Sequence, residues 1–464
     1  MRLALPKGRL MKETAALLEE ASVGIDGYDG RSRSYTLKSS TFPELSARVF
    51  QERDIPIQVA IGNYDMGICG QDWVEELMAK YPSEDLILVR HFGYGRCDLF
   101  AVASIDAGVS SIDGIDKRFD RVRIVSEYQN LAEVFAIKQR LKRFSVFPIY
   151  GGGEVYPPES ADIALIAEPS IDNLSRYDLM PLAHIMSSRA CLIANRKGLA
   201  MADLSQLLSC LQEVEVSSEE ETISTPAARS RRKKVPAKDG MVRLAIPDGH
   251  LSQTTAEFLG RAKVDIRGYV GKGASRRPVI DLPGVTVKVI RPQDMPLQVA
   301  NDNFDLAITG EDWLIDHLCR FPASPVEKLL TLGFGAVKLV AVVSEGMPLS
   351  SASDLKDMVR RGLLPRIRVA SEYVNIADKY AFDNHLERCK IIPTWGASEA
   401  FIPDDADLLI ENTETGETLK RHRLKVIDTI LDSSACLIGH RGALAHRSKK
   451  DTMEHIVSMM RRAC

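Results

Sequence analysis

Short apolar runs alternate with amphipathic segments along the whole chain. VRLAIP (242–247), DLAITG (305–310) and GAVKLVAVVS (335–344) are rich in apolar and β-branched residues, as is typical of buried strands. LSQTTAEFLGRA (251–262) and KYAFDNHLERC (379–389) instead space their apolar residues at helical intervals. Strands that alternate with helices predict an α/β fold with largely parallel sheets.

The chain contains the same pattern twice. LALPKGRL (3–10) returns as LAIPDGHL (244–251), and RDIPIQVAIGNYDMGICGQDW (53–73) returns as QDMPLQVANDNFDLAITGEDW (293–313). A repeat about 240 residues long is too long for a solenoid and indicates a duplicated domain pair. Each copy is large enough for two lobes with a cleft between them, where ligands bind at the carboxyl ends of strands.

The repeat predicts the domain boundaries. We expect a first copy at 1–216, with lobe I at about 1–92 and 178–216 and lobe II at about 93–177. A flexible linker follows at 217–240. The second copy is expected at 241–464, with lobe I at about 241–332 and 423–464 and lobe II at about 333–422. The linker is polar and lacks aromatic residues, so it cannot bury enough apolar surface to offset its ordering entropy. Its RSRRKK run (229–234) is read as a solvated stretch rather than a nucleic-acid patch.

The composition is that of an ordinary globular protein. Of 464 residues, 45% are hydrophobic and 27% charged, and the formal net charge is -3, which argues against a nucleic-acid or membrane-surface binder. No apolar run is long enough to span a membrane, and the N-terminal stretch lacks a signal-peptide pattern. The eight cysteines form no C-x-x-C pair. We therefore expect reduced thiols and a cytoplasmic location.

The stretch ADLLIENTETGETL (406–419) carries the clearest chemical signal. An apolar strand is followed by Thr-Gly-Glu-Thr (415–418), which offers backbone amides, two hydroxyls and a glycine that tolerates positive φ. Such a loop suits a phosphate, although an ordinary helix N-cap by Thr415 or Thr418 is an equal alternative. Asp407 and Glu411 flank the strand end, where carboxylates can accept hydrogen bonds from a ribose. A helix is expected from Leu419 onwards.

The chain resembles the short form of the catalytic subunit in the ATP phosphoribosyltransferase family. The resemblance covers nearly all of both copies and rests on these motifs: PKGRL (6–10), DIP (54–56), DMGICGQD (65–72), SEYQNL (126–131), GGGE (151–154), RPQDMP (291–296), DLAITGED (305–312), SEYVN (371–375), GASE (396–399) and ADLLIENTETGETL. It implies that each copy is a two-lobed, periplasmic-binding-protein-like (type II) fold with a central cleft.

The resemblance also implies a function. Members of the family are glycosyltransferases that join ATP to 5-phosphoribosyl 1-pyrophosphate with the help of Mg²⁺. The products are N1-(5-phosphoribosyl)-ATP and pyrophosphate, and the reaction is the first step of histidine biosynthesis. The resemblance also implies that the chain forms a homo-oligomer or an intrachain pseudo-dimer, and that a separate regulatory subunit binds it. The alternative is a non-catalytic regulatory or scaffolding paralogue that binds nucleotide or histidine and partners a separate enzyme.

Residue roles follow from the same resemblance. The implied catalytic residues are Lys7, Arg9, Asp407, Glu411 and Arg291. Phosphoribosyl pyrophosphate is expected at Glu414, Thr415, Gly416, Glu417, Thr418 and Leu419. ATP is expected at Lys7, Gly8, Arg9, Glu154, Glu399 and Tyr373, and the ligands of the metal are left open. Glu154 and Glu399 are read as cleft acids because glycines adjoin them, whereas Tyr373 either stacks on adenine or packs half-buried.

Each copy departs from the family pattern in a complementary way. The first copy keeps Lys7 and Arg9, but Ser170-Ile171-Asp172-Asn173 replaces its phosphate loop. The second copy keeps the loop, but Asp248 and His250 replace the two cations. This pattern suits either two independent decays or one composite site. Arg33 and Arg276, after the first helix of each copy, are expected to be solvated loop cations rather than phosphate ligands.

Overall fold

The structure is a computed structural model and describes residues 1–28, 36–201, 205–213, 240–271, 273–444 and 447–464. Most of the predicted linker 217–240, the RSRRKK run and Arg33 lie outside these residues. The predicted copy and lobe boundaries stay predictions. Within the described residues, no helix combines the length and apolarity needed to cross a membrane.

The first copy alternates strands and helices as expected. Its strands are β1 (Arg2–Lys7), β2 (Thr36–Lys38), β3 (Ser46–Gln51), β4 (Met66–Gly70), β5 (Leu86–His91), β6 (Cys97–Ser104), β7 (Val122–Ser126), β8 (Phe144–Pro148), β9 (Ile163–Glu168), β10 (Leu179–Ser188) and β11 (Ala190–Asn195). Its helices are α1 (Met11–Glu20), α2 (Ile55–Ala60), α3 (Gln71–Lys80), α4 (Ile115–Arg118), α5 (Gln129–Lys138), α6 (Arg196–Met201) and α7 (Ser205–Glu213).

The second copy repeats the order. Its strands are β12 (Val242–Pro247), β13 (Ile266–Arg267), β14 (Val279–Ile280), β15 (Val285–Ile290), β16 (Leu306–Gly310), β17 (Val326–Thr331), β18 (Val337–Ser344), β19 (Ile367–Ser371), β20 (Cys389–Pro393), β21 (Leu408–Thr413), β22 (Leu424–Ser433) and β23 (Ala435–His440). Its helices are α8 (Leu251–Arg261), α9 (Met295–Ala300), α10 (Glu311–Arg320), α11 (Ala352–Arg360), α12 (Val374–Asp383), α13 (Glu417–Arg421), α14 (Arg441–Leu444) and α15 (Arg447–Arg461).

Two main sheets form each copy, which confirms the predicted α/β class. The first copy has the strand orders β2-β3-β1-β4-β11-β5 and β10-β6-β9-β7-β8, and the second has β15-β12-β16-β23-β17 and β20-β19-β21-β18-β22. The expectation of largely parallel sheets is wrong. Parallel pairs such as β1 with β3 adjoin antiparallel pairs such as β11 with β4, because the chain crosses between the sheets and returns.

Apolar layers cover both sheets of each copy. In the first copy Leu3, Leu5, Val49 and Ile68 pack with Leu18 of α1 under one sheet, and all are almost fully buried. The other three sheets carry corresponding clusters on β6 and β7, on β12 and β15, and on β18 and β19. Burial of each such side chain contributes about 1.5–3 kcal/mol, so these layers fix the strands whose ends build the site.

The chain divides into two compact units. Unit 1 comprises Met1–Phe147, Ile163–Arg231 and Thr394–Asp405, and unit 2 comprises Pro148–Asp162, Arg232–Pro393 and Ala406–Cys464. Each unit thus contains one segment from the copy that builds the other unit. We call Pro148–Asp162 and Thr394–Asp405 the exchanged segments.

Specific contacts hold each exchanged segment in its unit. In unit 1 the buried Arg48 of β3 donates to the Ala400 carbonyl and pairs with Asp404 and Asp405. In unit 2 Lys288, the Arg48 counterpart on β15, donates to Glu159 over 2.7 Å. The predictions did not include this exchange, because each repeat carries a segment of the same type and either would fit the sequence pattern.

Candidate active site

The Thr-Gly-Glu-Thr loop lies at the carboxyl end of β21, as the sequence predicts. Gly416 has φ +74° with open space around its Cβ position, so the backbone conformation rather than crowding requires glycine. Its amide donates to the Thr413 hydroxyl over 3.0 Å, and the Glu417 amide donates to the Thr415 hydroxyl over 3.4 Å. These bonds hold the loop in an open turn.

Helix α13 begins at Glu417, two residues before the predicted start, and it ends after five residues because the chain enters β22 at Leu424. Leu419 is buried and fixes the first turn, whereas Glu414, Thr415, Glu417 and Thr418 are exposed. The first-turn amides of a helix have no intrahelical partner. The Gly416 and Glu417 amides already bond to threonine hydroxyls, so the donors left for a phosphate are the Thr418 and Leu419 amides and the hydroxyls of the exposed Thr415 and Thr418.

The corresponding turn of the first copy has a different structure. A 3₁₀ helix at Ile171–Tyr177 replaces the glycine turn, and Ser170 at its N-cap accepts a hydrogen bond from the Asp172 amide over 3.3 Å. The Asn173 side chain donates to Glu168 over 3.1 Å. With the exposed Asp172 in its first turn, this segment repels an anion.

The two acids predicted to flank the β21 end lie apart. Asp407 precedes β21 and is buried, and its carboxylate accepts three hydrogen bonds from the backbone and guanidinium of Arg368 at 2.8–3.2 Å. Glu411 lies within β21, four residues nearer the loop. Because a strand rises about 3.3 Å per residue, roughly 13 Å separates the two positions. The structure therefore brings Glu411, but not Asp407, towards the phosphate loop.

A buried hydrogen-bonded group joins the two sheets of the second copy. The Tyr373 hydroxyl after β19 donates to Asp312 after β16 over 2.6 Å and accepts from Asn412 of β21 over 2.6 Å. Its ring stacks on Trp313 with centroids 4.2 Å apart. Tyr373 is 0% exposed, so the expectation that its ring stacks on adenine is wrong. Burial, then the nearby Asp312 charge, raises the pKa of Tyr373, so it stays a neutral donor.

The first copy has the same buried hydrogen-bonded group. Tyr128 donates to Asp72 over 2.6 Å and stacks on Trp73 with centroids 4.4 Å apart. In both copies a serine before the last strand, Ser188 or Ser433, donates to the other oxygen of the aspartate. Since these residues follow strand carboxyl ends, the ends of the two sheets in each copy converge here.

The predicted cations of the first copy lie in unit 1, at the carboxyl end of β1. Lys7 is the last residue of β1, Gly8 is exposed with φ +91°, and Arg9 follows. The Arg9 guanidinium donates to Glu52 over 2.9 Å and to the Gly95 carbonyl over 2.9 Å. Burial alone would lower the pKa of Arg9, but the Glu52 and Asp72 carboxylates raise it, so its charge is fixed.

In unit 2 the same strand end carries a different charge pattern. Asp248, at the Lys7 position, pairs with Arg276 at 2.9 Å and with Arg291 at 3.4 Å. Arg276 also pairs with Glu154 of an exchanged segment at 2.9 Å. The expectation that Arg276 is a solvated loop cation is wrong, because two carboxylates bind it. Glu154 and Arg291 are brought together through these ion pairs.

The remaining acid, Glu399, belongs to the exchanged segment of unit 1. It lies in the 3₁₀ turn Ser398–Phe401 and is half-buried. Nearby in the segment, the Trp395 ring carries the Arg53 guanidinium at 4.2 Å, and Arg53 also lies 4.9 Å from the Trp73 ring. Stacking of Arg53 between the two rings holds the exchanged segment against the rest of unit 1.

Sequence reasoning did not identify Asp248 as an ion-pair centre or Arg53 and Trp395 as contacts. The one available signal was the Gly151-Gly152-Gly153 run beside Glu154, since consecutive glycines allow another group to approach the backbone closely.

The residues that the structure describes form no metal cage of their own. Within the described ranges, no three His, Cys, Asp or Glu side chains cluster at metal-binding distance. Mg²⁺ in nucleotide and phosphate sites commonly takes one or two carboxylates plus substrate phosphates. Glu411, near the phosphate loop, fits such a substrate-dependent metal; a protein-only site does not fit.

Comparisons with known proteins agree with the repeat. A family model described as HisG: ATP phosphoribosyltransferase matches residues 51–213 and 291–462. An ATP phosphoribosyltransferase of Thermodesulfovibrio yellowstonii is 30% identical over 226 residues, 49% of this chain and 73% of the relative. That of Sulfurisphaera tokodaii is 32% identical over 225 residues, with 48% and 73% covered.

Solved structures with a similar fold include an ATP phosphoribosyl transferase (HisG:HisZ) complex from Thermotoga maritima, with a TM-score of 0.38 and 20% identity over 48% of this chain and 97% of that chain. The periplasmic aliphatic sulphonate binding protein SsuA from Escherichia coli has a TM-score of 0.31 and 12% identity over 49% and 69%.

The family matches fall on both halves of the repeat and together cover more than half of the chain. Curated members of the family are ATP phosphoribosyltransferases, which are glycosyltransferases. The chain therefore belongs to the HisG family of ATP phosphoribosyltransferases and carries two divergent copies of it in tandem.

Proposed function

We propose that the chain condenses ATP with 5-phosphoribosyl 1-pyrophosphate to N1-(5-phosphoribosyl)-ATP and pyrophosphate, the first step of L-histidine biosynthesis. The observation that carries the proposal is the open Gly416 turn at the end of β21, in a chain whose two halves both match the family.

The phosphoribosyl substrate binds at unit 2 in this proposal. Its 5-phosphate accepts hydrogen bonds from the turn formed by Glu414, Thr415, Gly416, Glu417, Thr418 and Leu419. Glu411 accepts hydrogen bonds from the ribose hydroxyls, because it lies on β21 just before the turn. Asp407 supports the strand through Arg368 and does not contact the sugar.

The chemistry then consists mainly of charge stabilisation. As the bond from C1 to pyrophosphate breaks, negative charge grows on the leaving group and the ribose ring develops oxocarbenium character. Arg291 neutralises the leaving group, and the Glu411 carboxylate stabilises the ring. Mg²⁺ bound to the substrate phosphates would supply further charge neutralisation. The adenine nitrogen needs orientation more than activation.

ATP phosphates are assigned to Lys7, Gly8 and Arg9 in unit 1. Glu52 and Asp72 hold the Arg9 guanidinium in place, and the positive φ of Gly8 leaves the backbone open beside the two cations. Glu399 of unit 1 and Glu154 of unit 2 are assigned to ATP binding as acceptors for its amino or hydroxyl groups. The cations belong to unit 1 and the phosphate loop belongs to unit 2.

The alternative, a non-catalytic regulatory or scaffolding paralogue, draws on the Asp172 and Asp248 substitutions, each of which places an acid where the family pattern expects a phosphate partner. It predicts nucleotide or histidine binding without turnover. A homo-oligomer, a separate regulatory subunit and a cytoplasmic location remain part of the proposal.

The test is an initial-rate assay of pyrophosphate release from ATP and phosphoribosyl pyrophosphate with Mg²⁺. Thr418→Val removes a hydroxyl of the turn and should lower kcat/KM for phosphoribosyl pyrophosphate about 10-fold or more. Asn173→Val changes the equivalent position of the first copy and should leave kcat/KM within about 2-fold. A folded wild-type chain without turnover, or a Thr418→Val variant with the wild-type rate, contradicts the proposal.

A further inference from the structure

Asp248 replaces a cation, because it stands where the first copy has Lys7. In the structure it is an ion-pair centre. Its Oδ2 lies 2.9 Å from Arg276 Nη1 and 3.4 Å from Arg291 Nε, and its side chain is 15% exposed. Asp248 Oδ1 and Arg291 Nε are buried and have no hydrogen-bond partner among the described residues. The Arg276 and Arg291 side chains as a whole are 30% and 42% exposed, so both can be reached by a ligand from solvent.

Arg276 is held from a second side. Its Nε lies 2.9 Å from Glu154 Oε1. The guanidinium passes over Gly152, where an added Cβ would lie 3.2 Å from the guanidinium carbon, and Gly152 has φ +73°. In the described part of the chain, the ion pairs of Arg276 use Nε and Nη1, and a guanidinium has five N–H donors. Arg276 can therefore bind a phosphoryl oxygen without leaving its carboxylates.

The two arginines and the phosphate loop belong to the same unit and to strand ends that converge. Asp248 and Arg291 follow β12 and β15, neighbours in a parallel pair. The next strand of that sheet, β16, leads into Asp312, which Tyr373 and Asn412 connect to β21. The loop at Thr413–Leu419 continues β21. The cations and the turn thus lie on the facing ends of two sheets.

Two guanidinium groups close together repel each other unless an acid lies between them. Asp248 supplies that acid, whereas a lysine at this position would add a third positive charge. Where the first copy has Lys7, the second copy thus has the carboxylate of Asp248, which holds Arg276 and Arg291.

We propose that Asp248 is a positioning residue that holds Arg276 and Arg291 for the pyrophosphate group of the phosphoribosyl substrate. This inference rests on the proposed function of the Gly416 turn. It reverses the ordinary expectation for charge: removing an acid from an anion site should tighten anion binding, but here removal should weaken it, because the arginines lose their orientation.

The sign of the effect is the test. Binding of inorganic pyrophosphate with Mg²⁺ is measured by calorimetry for the wild type, Asp248→Asn and Asp248→Lys. We expect affinity to fall about 10-fold in Asp248→Asn and at least as far in Asp248→Lys, with recovery to within about 3-fold in Asp248→Glu. The control is Asp265→Asn, which removes an exposed acid 3.9 Å from Arg267 and should change nothing. Unchanged or tighter binding by Asp248→Asn or Asp248→Lys overturns the inference, as does a wild type that does not bind pyrophosphate.

If Asp248→Asn does not fold, Arg276→Gln replaces it, since Arg276 is 30% exposed. Pyrophosphate affinity should again fall about 10-fold, and unchanged affinity overturns the inference. Kinetics separate this inference from the proposed function. Wild-type turnover with normal pyrophosphate binding by Asp248→Asn defeats the inference alone. If Asp248→Asn binds pyrophosphate more weakly but the wild type shows no turnover, the proposed function alone is contradicted.

Discussion

The guanidinium of Arg276 lies 2.9 Å from the carboxylate of Glu154, although Glu154 belongs to the first copy and Arg276 to the second. The same unit binds the exchanged segment again through Lys288 and Arg277, which both pair with Glu159. A candidate site residue of one copy is therefore placed by basic residues of the other.

The exchanged segment of unit 1 should contribute measurably to stability. Arg48 is 5% exposed, and Arg48→Met removes its bond to the Ala400 carbonyl and its ion pairs with Asp404 and Asp405. Asp405 keeps Arg2 at 3.0 Å and the Tyr64 hydroxyl at 2.8 Å, so its charge stays compensated. Loss of a hydrogen bond that leaves a buried acceptor unsatisfied typically costs about 1–3 kcal/mol. We expect a loss of about 2–3 kcal/mol in the free energy of unfolding by urea. Lys288→Met is the matched change in unit 2, and its partner Glu159 is 47% exposed, so its loss should be about 1 kcal/mol. Equal losses for both variants would contradict this reading of the two segments.

The Glu159 ion pairs should make unit 2 sensitive to acid. Burial alone would raise the pKa of Glu159, but Lys288 and Arg277 lower it from 4.5 to about 2. A depressed pKa means that the pairs stabilise the folded state fully above the unfolded-state pKa near 4.5 and cease to do so as pH falls towards 2.

The free energy of unfolding of the wild type should therefore exceed that of Glu159→Gln at pH 6, and the difference should shrink between about pH 5 and pH 2. Because Glu159 is half-exposed, high salt should also reduce the difference. A difference that is the same at pH 6 and pH 3 would show that the charge of Glu159 has no such role.

Tyr373 should act as a structural residue. Tyr373→Phe removes the hydrogen bond to the buried Asp312, which should cost about 1–3 kcal/mol of unfolding free energy. The KM for ATP should stay within about 2-fold, because the ring does not reach a ligand. Tyr128→Phe removes the corresponding bond in the first copy and should give a similar loss. A large rise in KM for ATP with unchanged stability would instead place Tyr373 in the nucleotide site.

The sequence was sufficient for features that depend on neighbouring residues. The repeat, the strand VRLAIP and the Gly416 turn follow from local spacing and from the φ requirement of one residue. Asp407 was assigned to the sugar because its partner Arg368 is 39 residues away, so local spacing gave no sign of their ion pair. Arg276 was misread because its two partners, Glu154 and Asp248, are remote in sequence. From sequence alone, an arginine whose acidic partners are remote in the chain cannot be distinguished from a solvated surface cation.

The most direct test of the central claim is the binding stoichiometry of phosphoribosyl pyrophosphate, measured by calorimetry with Mg²⁺ and without ATP. One molecule should bind per chain, because only the second copy keeps the glycine turn. Gly416→Ile, which forces a β-branched residue to φ +74°, should lower the affinity at least 100-fold, whereas Ile171→Gly in the first copy should leave it unchanged. Two molecules per chain, or undiminished binding by Gly416→Ile, would contradict the account.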